Sequence, residues 1–266
     1  MKDEVKKIWN ANAEFWDGRM GEGNDFHKLL VEPIQLKLLN IQAGDRILDI
    51  ACGNGQFARR MAEFRAEVTA IDFSDRFIAI AELKGNYNIN YQVIDVTSEA
   101  ELEKLPRNEF DAIVCTMSLM DIKQIDSLIK YVPKMLKRSG VFVFSILHPC
   151  FNSGENILVH EMEDLGGEVK DKYYVKIQDY LTERSLLGIG IIGQPEPQYY
   201  FHRPISAVLR VCFENGRVLD AFEEPSFTDI KDGSSIFDNV YAHIPPACIC
   251  RLKISEDTLS AHRKQN

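Results

Sequence analysis

From Arg46 onward, short apolar runs alternate with polar segments whose hydrophobic residues recur at helical spacing. RILDI, EVTAID, INYQVID, FDAIVCT and VFVFSIL (141–147) read as strands. Between them QFARRMAEF, DRFIAIAEL, a short polar stretch and residues 121–138 read as helices, the last ended near Gly140. Strands this apolar, each followed by a helix, predict an α/β fold with a parallel sheet covered on both faces. Upstream, residues 3–16 and 24–40 predict two amphipathic helices, with Pro33 kinking or interrupting the second, so that residues 1–42 form an N-terminal helical cap. Residues 150–203 break the rhythm with scattered glycines and aromatics that close on QPEPQYYFHRP, and they read as a lid inserted for the substrate. A helix over 204–214 stops at Asn215-Gly216, and GRVLDAFEEP and ACICRLKIS predict two further strands joined by a polar loop. Residues 1–266 thus read as a single domain.

Composition narrows the partners. Hydrophobic residues make up 45% and charged residues 27% of the 266, as in ordinary globular domains. Against 40 Asp and Glu stand 31 Lys and Arg, a net charge of −9, so no overall field draws the chain to nucleic acid or an anionic membrane. A small molecule is the expected partner. The six cysteines form no CxxC pair, which predicts reduced thiols and a cytoplasmic location. The opening MKDEVKKIWNANAEFWDG has no apolar signal core, and no run reaches the ~18 apolar residues of a membrane span, so neither export nor insertion is expected.

The sharpest motif is RILDIACGNGQFA, a strand ending at Asp49 and Ile50, a turn through Ala51, Cys52, Gly53, Asn54 and Gly55, then a helix. Glycines there let main-chain amides approach a ligand at the helix N-terminus. Gly53, Gly55 and Ala58 also fit the dinucleotide pattern G-x-G-x-x-[GA]. Asp49, however, would face a pyrophosphate, and like charges about 4 Å apart cost roughly 1–4 kcal/mol at effective dielectrics of 80 to 20. A ligand carrying an ammonium and a sulfonium suits that carboxylate better. Asp72 follows Gly55 by 17 residues, the place of a carboxylate that accepts from ribose hydroxyls, with a helix cap as the lesser alternative for it and for Asp49. Asp95 closes the third strand and either accepts from an adenine amino group or caps the next helix. His148 after the fifth strand and His202 at the end of the lid are candidate general bases or structural histidines, whereas His27 has no comparable placement. With no HExxH and no Cys/His array, no metal site is expected.

LDIACGNG, AIDFS, VIDVT and FDAIVCTMSLMDI, followed by LKRSGVFVFSILHPCF, YYFHRPIS, LDAFEEP and IPPACICRLKI, resemble the successive motifs of class I S-adenosylmethionine (SAM) dependent methyltransferases. The resemblance covers nearly the whole chain and is weakest in the lid. It implies a Rossmann-like seven-stranded, mostly parallel sheet of order 3-2-1-4-5-7-6, last strand antiparallel, with helices on both faces. It implies SAM as cofactor, S-adenosylhomocysteine (SAH) as product, and methyl transfer to a small molecule by direct displacement. On its residues, Asp49, Ala51, Gly53 and Gly55 form the glycine loop, with Ala51 where the fullest motif has glycine. Asp72 would take the ribose, Asp95 the adenine amino group and Phe73 the adenine face unless it is a plain core phenylalanine, Val96 would join the cofactor site, and Thr116 and Met117, beside Ser118, would take the methionine portion. Trp16 and Arg19, with Trp9 and Phe15, would fold over the cofactor or pack as an ordinary helix. An alcohol acceptor would need a base, and His148 is favoured slightly because a strand end holds it more rigidly than a lid. The lid aromatics Tyr173, Tyr174, Tyr180, Tyr199, Tyr200 and Phe201 suggest a partly apolar acceptor. An NAD(P)-dependent oxidoreductase and a non-catalytic SAM-binding protein stand as alternatives. Nucleic-acid methylation is disfavoured, because FDAIVCTMSLMDI lacks an Asn/Asp-Pro-Pro-aromatic segment to receive a flipped base.

Overall fold

Successive side chains of a strand face opposite sides of its sheet, so an apolar strand needs cover on both. In the computed structural model, which describes residues 2–85, 88–228 and 236–255, that requirement organises the chain. The helices are α1 (Lys2–Met20), α2 (Glu32–Leu39), α3 (Gln56–Glu63), α4 (Asp75–Lys84), α5 (Glu99–Leu102), α6 (Asp126–Met135), α7 (Ile205–Glu214) and α8 (Ile236–Tyr241). The strands are β1 (Arg46–Ile50), β2 (Glu67–Asp72), β3 (Asn90–Val93), β4 (Phe110–Thr116), β5 (Leu136–Leu147), β6 (Ile157–Leu165), β7 (Glu168–Lys176), β8 (Arg184–Gly188), β9 (Gln198–His202), β10 (Arg217–Glu223) and β11 (Ala247–Ile254). Seven of them form one sheet in the order β3-β2-β1-β4-β5-β11-β10. The pairs from β3 to β5 are parallel, and β11 runs antiparallel to both neighbours. This is the expected order.

The two faces follow the period of two. Ile47, Ala112, Val114, Val143 and Ile249 pack under Leu38 and Leu39 of α2 and Phe57, Ala58 and Met61 of α3. The alternate residues Leu48, Ile50, Ile113, Phe142, Phe144, Cys248 and Cys250 pack against α6 and against Val208 and Cys212 of α7. Both clusters are buried, and their burial supplies most of the driving force for the fold. Among the described residues no helix is long and apolar enough to cross a membrane.

Several boundaries differ from expectation. The second helix is a π-helical turn over Phe26–Val31 followed by α2, with Pro33 in the first turn, where its missing N–H costs no hydrogen bond. The helix expected over 121–138 is shorter, a 3-10 turn at Leu119–Asp121 and then α6. Gly140 does not end it. It lies inside β5, where the register to β4 slips between Phe110↔Leu136 and Ala112↔Val141 and the extra residues bulge. A Cβ at Gly140 would stand 2.9 Å from Leu136 Cδ2 and 3.0 Å from the carbonyl oxygens of Lys137 and Phe110. The polar loop between the last strands holds α8, and part of it lies outside the described residues. Residues 150–203 contain two antiparallel hairpins, β6–β7 and β8–β9, each a sheet of its own.

Two alanine substitutions should separate these environments. Gly140→Ala, pressed against two main-chain oxygens, should lower unfolding stability by about 1–3 kcal/mol. Gly18→Ala in α1, where a Cβ meets nothing within 4 Å, should raise it by roughly 0.5 kcal/mol or more. Urea midpoints that moved the same way for both would contradict this packing.

Candidate functional site

Strand order reverses between β1 and β4, where successive crossovers leave on opposite sides and the carboxyl ends of the parallel strands open a crevice. A cavity of about 940 Å³ fills it. Its floor is Asp49, Ala51, Cys52 and Gly53 after β1, Asp72 and Phe73 after β2, Asp95 and Val96 after β3, and Thr116 to Asp121 after β4. Trp9, Trp16 and Asp17 of α1 line it from one side, and Gln198, Tyr200 and His202 of β9 from another.

The glycine turn divides its labour. Gly53, at φ 54, faces the cavity with nothing near its missing Cβ, and its N–H donates to Asp72 Oδ2 at 3.0 Å. Gly55, at φ 73, does not line the cavity, contrary to the expected ligand contact. A Cβ there would lie 2.5 Å from the Tyr91 hydroxyl, so glycine makes room for a ring of β3. Ala51 and Met117 hold left-handed backbones at φ 55 and φ 50, each worth about 1–2 kcal/mol of strain for a side-chain-bearing residue. Both stand in the cavity wall, and the Met117 N–H is fixed by the Ser145 carbonyl and hydroxyl oxygens, each 3.0 Å away.

The carboxyls are held differently. Asp49 is 1% exposed and its Oδ2 has no hydrogen-bond partner among the described residues. Burial, helped by the nearby Asp72, pushes its pKa up to about 8. Asp72 accepts from the main-chain N–H groups of Gly53 and Ser74, at 3.0 and 2.8 Å. Burial raises it more than those bonds lower it, to about 6. The cap of α4 is Ser74, whose Oγ accepts from the Phe77 N–H at 3.1 Å. Asp95 accepts from the Thr97 N–H and hydroxyl, at 2.8 and 2.7 Å, and Ser98 stands at the start of α5.

Buried polar atoms in proteins are nearly always paired, and an orphan costs about 1–3 kcal/mol. Among the described residues, three that line this cavity carry such orphans: Asp49 Oδ2, Trp16 Nε1 and both ring nitrogens of His27. His27, which has no distinctive placement in the sequence, comes from the π-helical turn, stands edge-on to Phe57 and has its Nδ1 3.6 Å from Glu32. Burial lowers its pKa, which keeps it neutral.

Helix α1 is tied down over this floor. Asn10 accepts from the Ser74 hydroxyl at 2.5 Å and donates to Asp75 at 3.1 Å, and Asp17 takes Lys84 and the Asn54 amide, the latter at 2.8 Å. Asn12 exchanges two hydrogen bonds with the Glu196 main chain, at 2.8 and 2.9 Å, joining α1 to the β8–β9 connection. Trp16 sits edge-on to Trp9, whereas Arg19 lies over the Phe15 ring and outside the cavity wall.

The histidines part ways. His148 is outside the wall, where its neighbour Pro149 stands instead. Its Nδ1 accepts from the Cys150 N–H at 3.2 Å, its Nε2 donates to Glu224 at 2.9 Å, and its ring stacks on Phe151. The expectation that it faces the acceptor is corrected, because the turn after β5 spends both nitrogens on the protein. His202 lines the cavity, and its Nε2 donates to the Tyr180 carbonyl at 2.8 Å, leaving Nδ1 the unprotonated nitrogen. Sequence reading also passed over Asp121 and Gln198, which meet across the cavity wall at 3.5 Å from elements 77 residues apart. Asp121 lies inside FDAIVCTMSLMDI, but nothing local marks Gln198 as its partner.

Residues 48–144 match the family model described as a methyltransferase domain. The ubiquinone biosynthesis O-methyltransferase of Pseudomonas fluorescens (strain Pf0-1) is 29% identical over 151 residues, 54% of this chain and 62% of that protein. The match therefore spans about three-fifths of the curated relative's length. Among solved structures, a SAM-dependent methyltransferase from Mesorhizobium loti superposes with TM-score 0.65 at 24% identity over 83% of this chain and 95% of its own. A putative SAM-dependent methyltransferase from Listeria monocytogenes gives 0.62 at 20% identity over 84% and 98%. The chain thus shares the fold of these SAM-dependent methyltransferases, with its sheet in the order 3-2-1-4-5-7-6 and β11 antiparallel, and its glycine turn and acidic strand ends lie within the stretch that matches a methyltransferase domain.

Proposed function

We propose that the protein transfers a methyl group from SAM to a small-molecule acceptor held between the glycine turn and the β8–β9 hairpin. The observation that carries this reading is the buried Asp49 carboxyl, with one oxygen unpartnered, at the edge of the Gly53 turn. That donor set fits a cationic adenosine ligand. Asp49 meets the ammonium, Asp72 the ribose through lone pairs left free by its two main-chain bonds, Phe73, Asp95 and Val96 the adenine, and Thr116 and Met117 the methionine chain. A dinucleotide would instead set a pyrophosphate against Asp49, hold it protonated and leave it no counter-charge, which counts against the oxidoreductase alternative. When bound, SAM supplies a methyl group on a sulfonium that leaves as a neutral thioether.

The chain's own work is alignment, dryness and a proton. Alignment in a dry site is worth roughly 7–11 kcal/mol. Residues 1–42 and 150–203, as N-terminal cap and lid, shield the floor from water, and the hairpin surface selects the acceptor. The Pseudomonas relative is an O-methyltransferase by name, which supports a hydroxyl nucleophile, and a hydroxyl needs a base. His202 Nδ1 takes its proton as the new bond to the methyl carbon forms, while the Tyr180 carbonyl fixes the ring and stabilises the imidazolium. The six free cysteines suit a cytoplasmic enzyme.

Protonation gives the first test. Because the Asp49 pKa rises from 3.8 to about 8 on folding, the stability this group contributes is full below pH 4 and falls as pH rises toward 8. The ammonium of SAH favours the ionised form, so SAH binding should release protons near pH 7 and tighten by up to about tenfold per pH unit between 6 and 8. Calorimetry in buffers of different ionisation heat reads both, and Asp49→Asn should flatten the pH profile. A pH-independent affinity with no proton release would remove Asp49 from the cofactor site. The second test is the base. His202→Ala should cut turnover of a hydroxyl acceptor by roughly 10² to 10⁴ with SAH affinity unchanged, whereas His148→Ala should lower the melting temperature and leave the chemical step intact. The reverse pattern would restore His148.

A further inference from the structure

Asp121 ends the 3-10 turn after β4 and lines the cavity on the β9 side. Its hydrogen-bond partner among the described residues is the Gln198 amide, with Nε2 3.5 Å from Oδ1, at the outer limit of a hydrogen bond. Gln198 is 1% exposed, and Gln194 Nε2, 3.4 Å from its Oε1, aims the amide's N–H side at Asp121. Among the described residues no cation pairs with this carboxyl. Arg203 does not serve, because its guanidinium donates to the carbonyls of Leu119, Phe201, Ile122 and Lys123, stapling the turn to the hairpin. The Tyr200 hydroxyl stands in the same wall and makes no hydrogen bond to a described residue. Around them the wall is largely apolar, with Leu119, Met120, Leu186 and Ile189, while Lys123 and Gln124 also line the cavity.

A carboxyl built into an apolar wall, positioned by a buried amide and a clamped turn yet left without a counter-charge, is arranged for a ligand that brings one. We propose that Asp121 anchors an ammonium group of the methyl acceptor, with Gln198 and Tyr200 orienting it, so that the acceptors are small organic amines with an apolar body. The occupant's identity as acceptor rests on the methyl-transfer reading above. Burial holds the carboxyl well above the usual range, so it takes up its charge as the cation arrives.

Tyramine and tyrosol, which share a ring and chain and differ in carrying an ammonium or a hydroxyl, make the test. Each is titrated into the full chain, alone and saturated with SAH. Tyramine should bind at least about tenfold more tightly than tyrosol. Asp121→Asn, near-isosteric, should bring the two within about twofold and leave SAH affinity unchanged. Equal binding of the two by the unaltered protein, no tyramine binding, or a preference that survives in folded Asp121→Asn would overturn the proposal. A tenfold loss of SAH affinity in that variant would also overturn it, by assigning Asp121 to the cofactor. Failure of the unaltered protein to bind SAH strikes the cofactor reading alone, since the amine preference is read without SAH as well.

Discussion

The hydrogen bonds that Asp72 accepts from Gly53 and Ser74 tie together the two turns on which the cavity is built. One carboxylate spans the loop after β1 and the loop after β2, and the Cys52 N–H donating to the Ile71 carbonyl at 3.0 Å closes the same seam. Those turns set the first residues of α3 and α4 and bring Asp49 close enough for its pKa to feel Asp72. Two acids so near one another in a buried floor repel, and the pair is eased because main-chain donors hold Asp72 while burial and Asp72 push the Asp49 pKa up to about 8.

The same seam recruits the N-terminal helix. Ser74 caps α4 and donates its hydroxyl to Asn10, Asp75 draws Lys6 and the Asn10 amide, and Asn54 of the glycine turn donates to Asp17. Most of these contacts are polar and partly exposed, individually worth little, so α1 is held by their number and by Trp9 against Phe77. Through Asn12 and Trp16 the helix also touches the β8–β9 hairpin, so one element borders both the proposed cofactor end and the proposed acceptor end.

Of the buried polar atoms without hydrogen-bond partners among the described residues, four gather in the cavity and the rest lie on Tyr91, Glu163, Arg184 and Arg217 outside it. Orphans on Asp49, Trp16 and His27 share a cavity whose backbone is also strained at Ala51 and Met117. Each of these costs stability in a protein whose margin is only several kcal/mol, and a ligand that meets them recovers part of it on binding.

Local pattern was enough for the alternation of strands and helices, the turn after RILDI and the acids at the strand ends, because periods of 2 and 3.6 residues and a strand-ending Asp are properties of a few neighbouring residues. The edge order came through resemblance to a family, and the structure agrees. Tertiary structure decided the rest. Gly55 serves Tyr91 because β3 passes beside it, and Gly140 sits in a bulge because β4 and β5 slip in register. His148 turned inward to Cys150 and Glu224 although Pro149 and the strand end suggested otherwise, and His202 reached the cavity through the pairing of β8 with β9. His27 entered the wall through a π-helical turn that mimics an ordinary helix in sequence, and Asp121 met Gln198 across 77 residues of chain. Such contacts depend on register and on how hairpins dock, and neither leaves a local period to read.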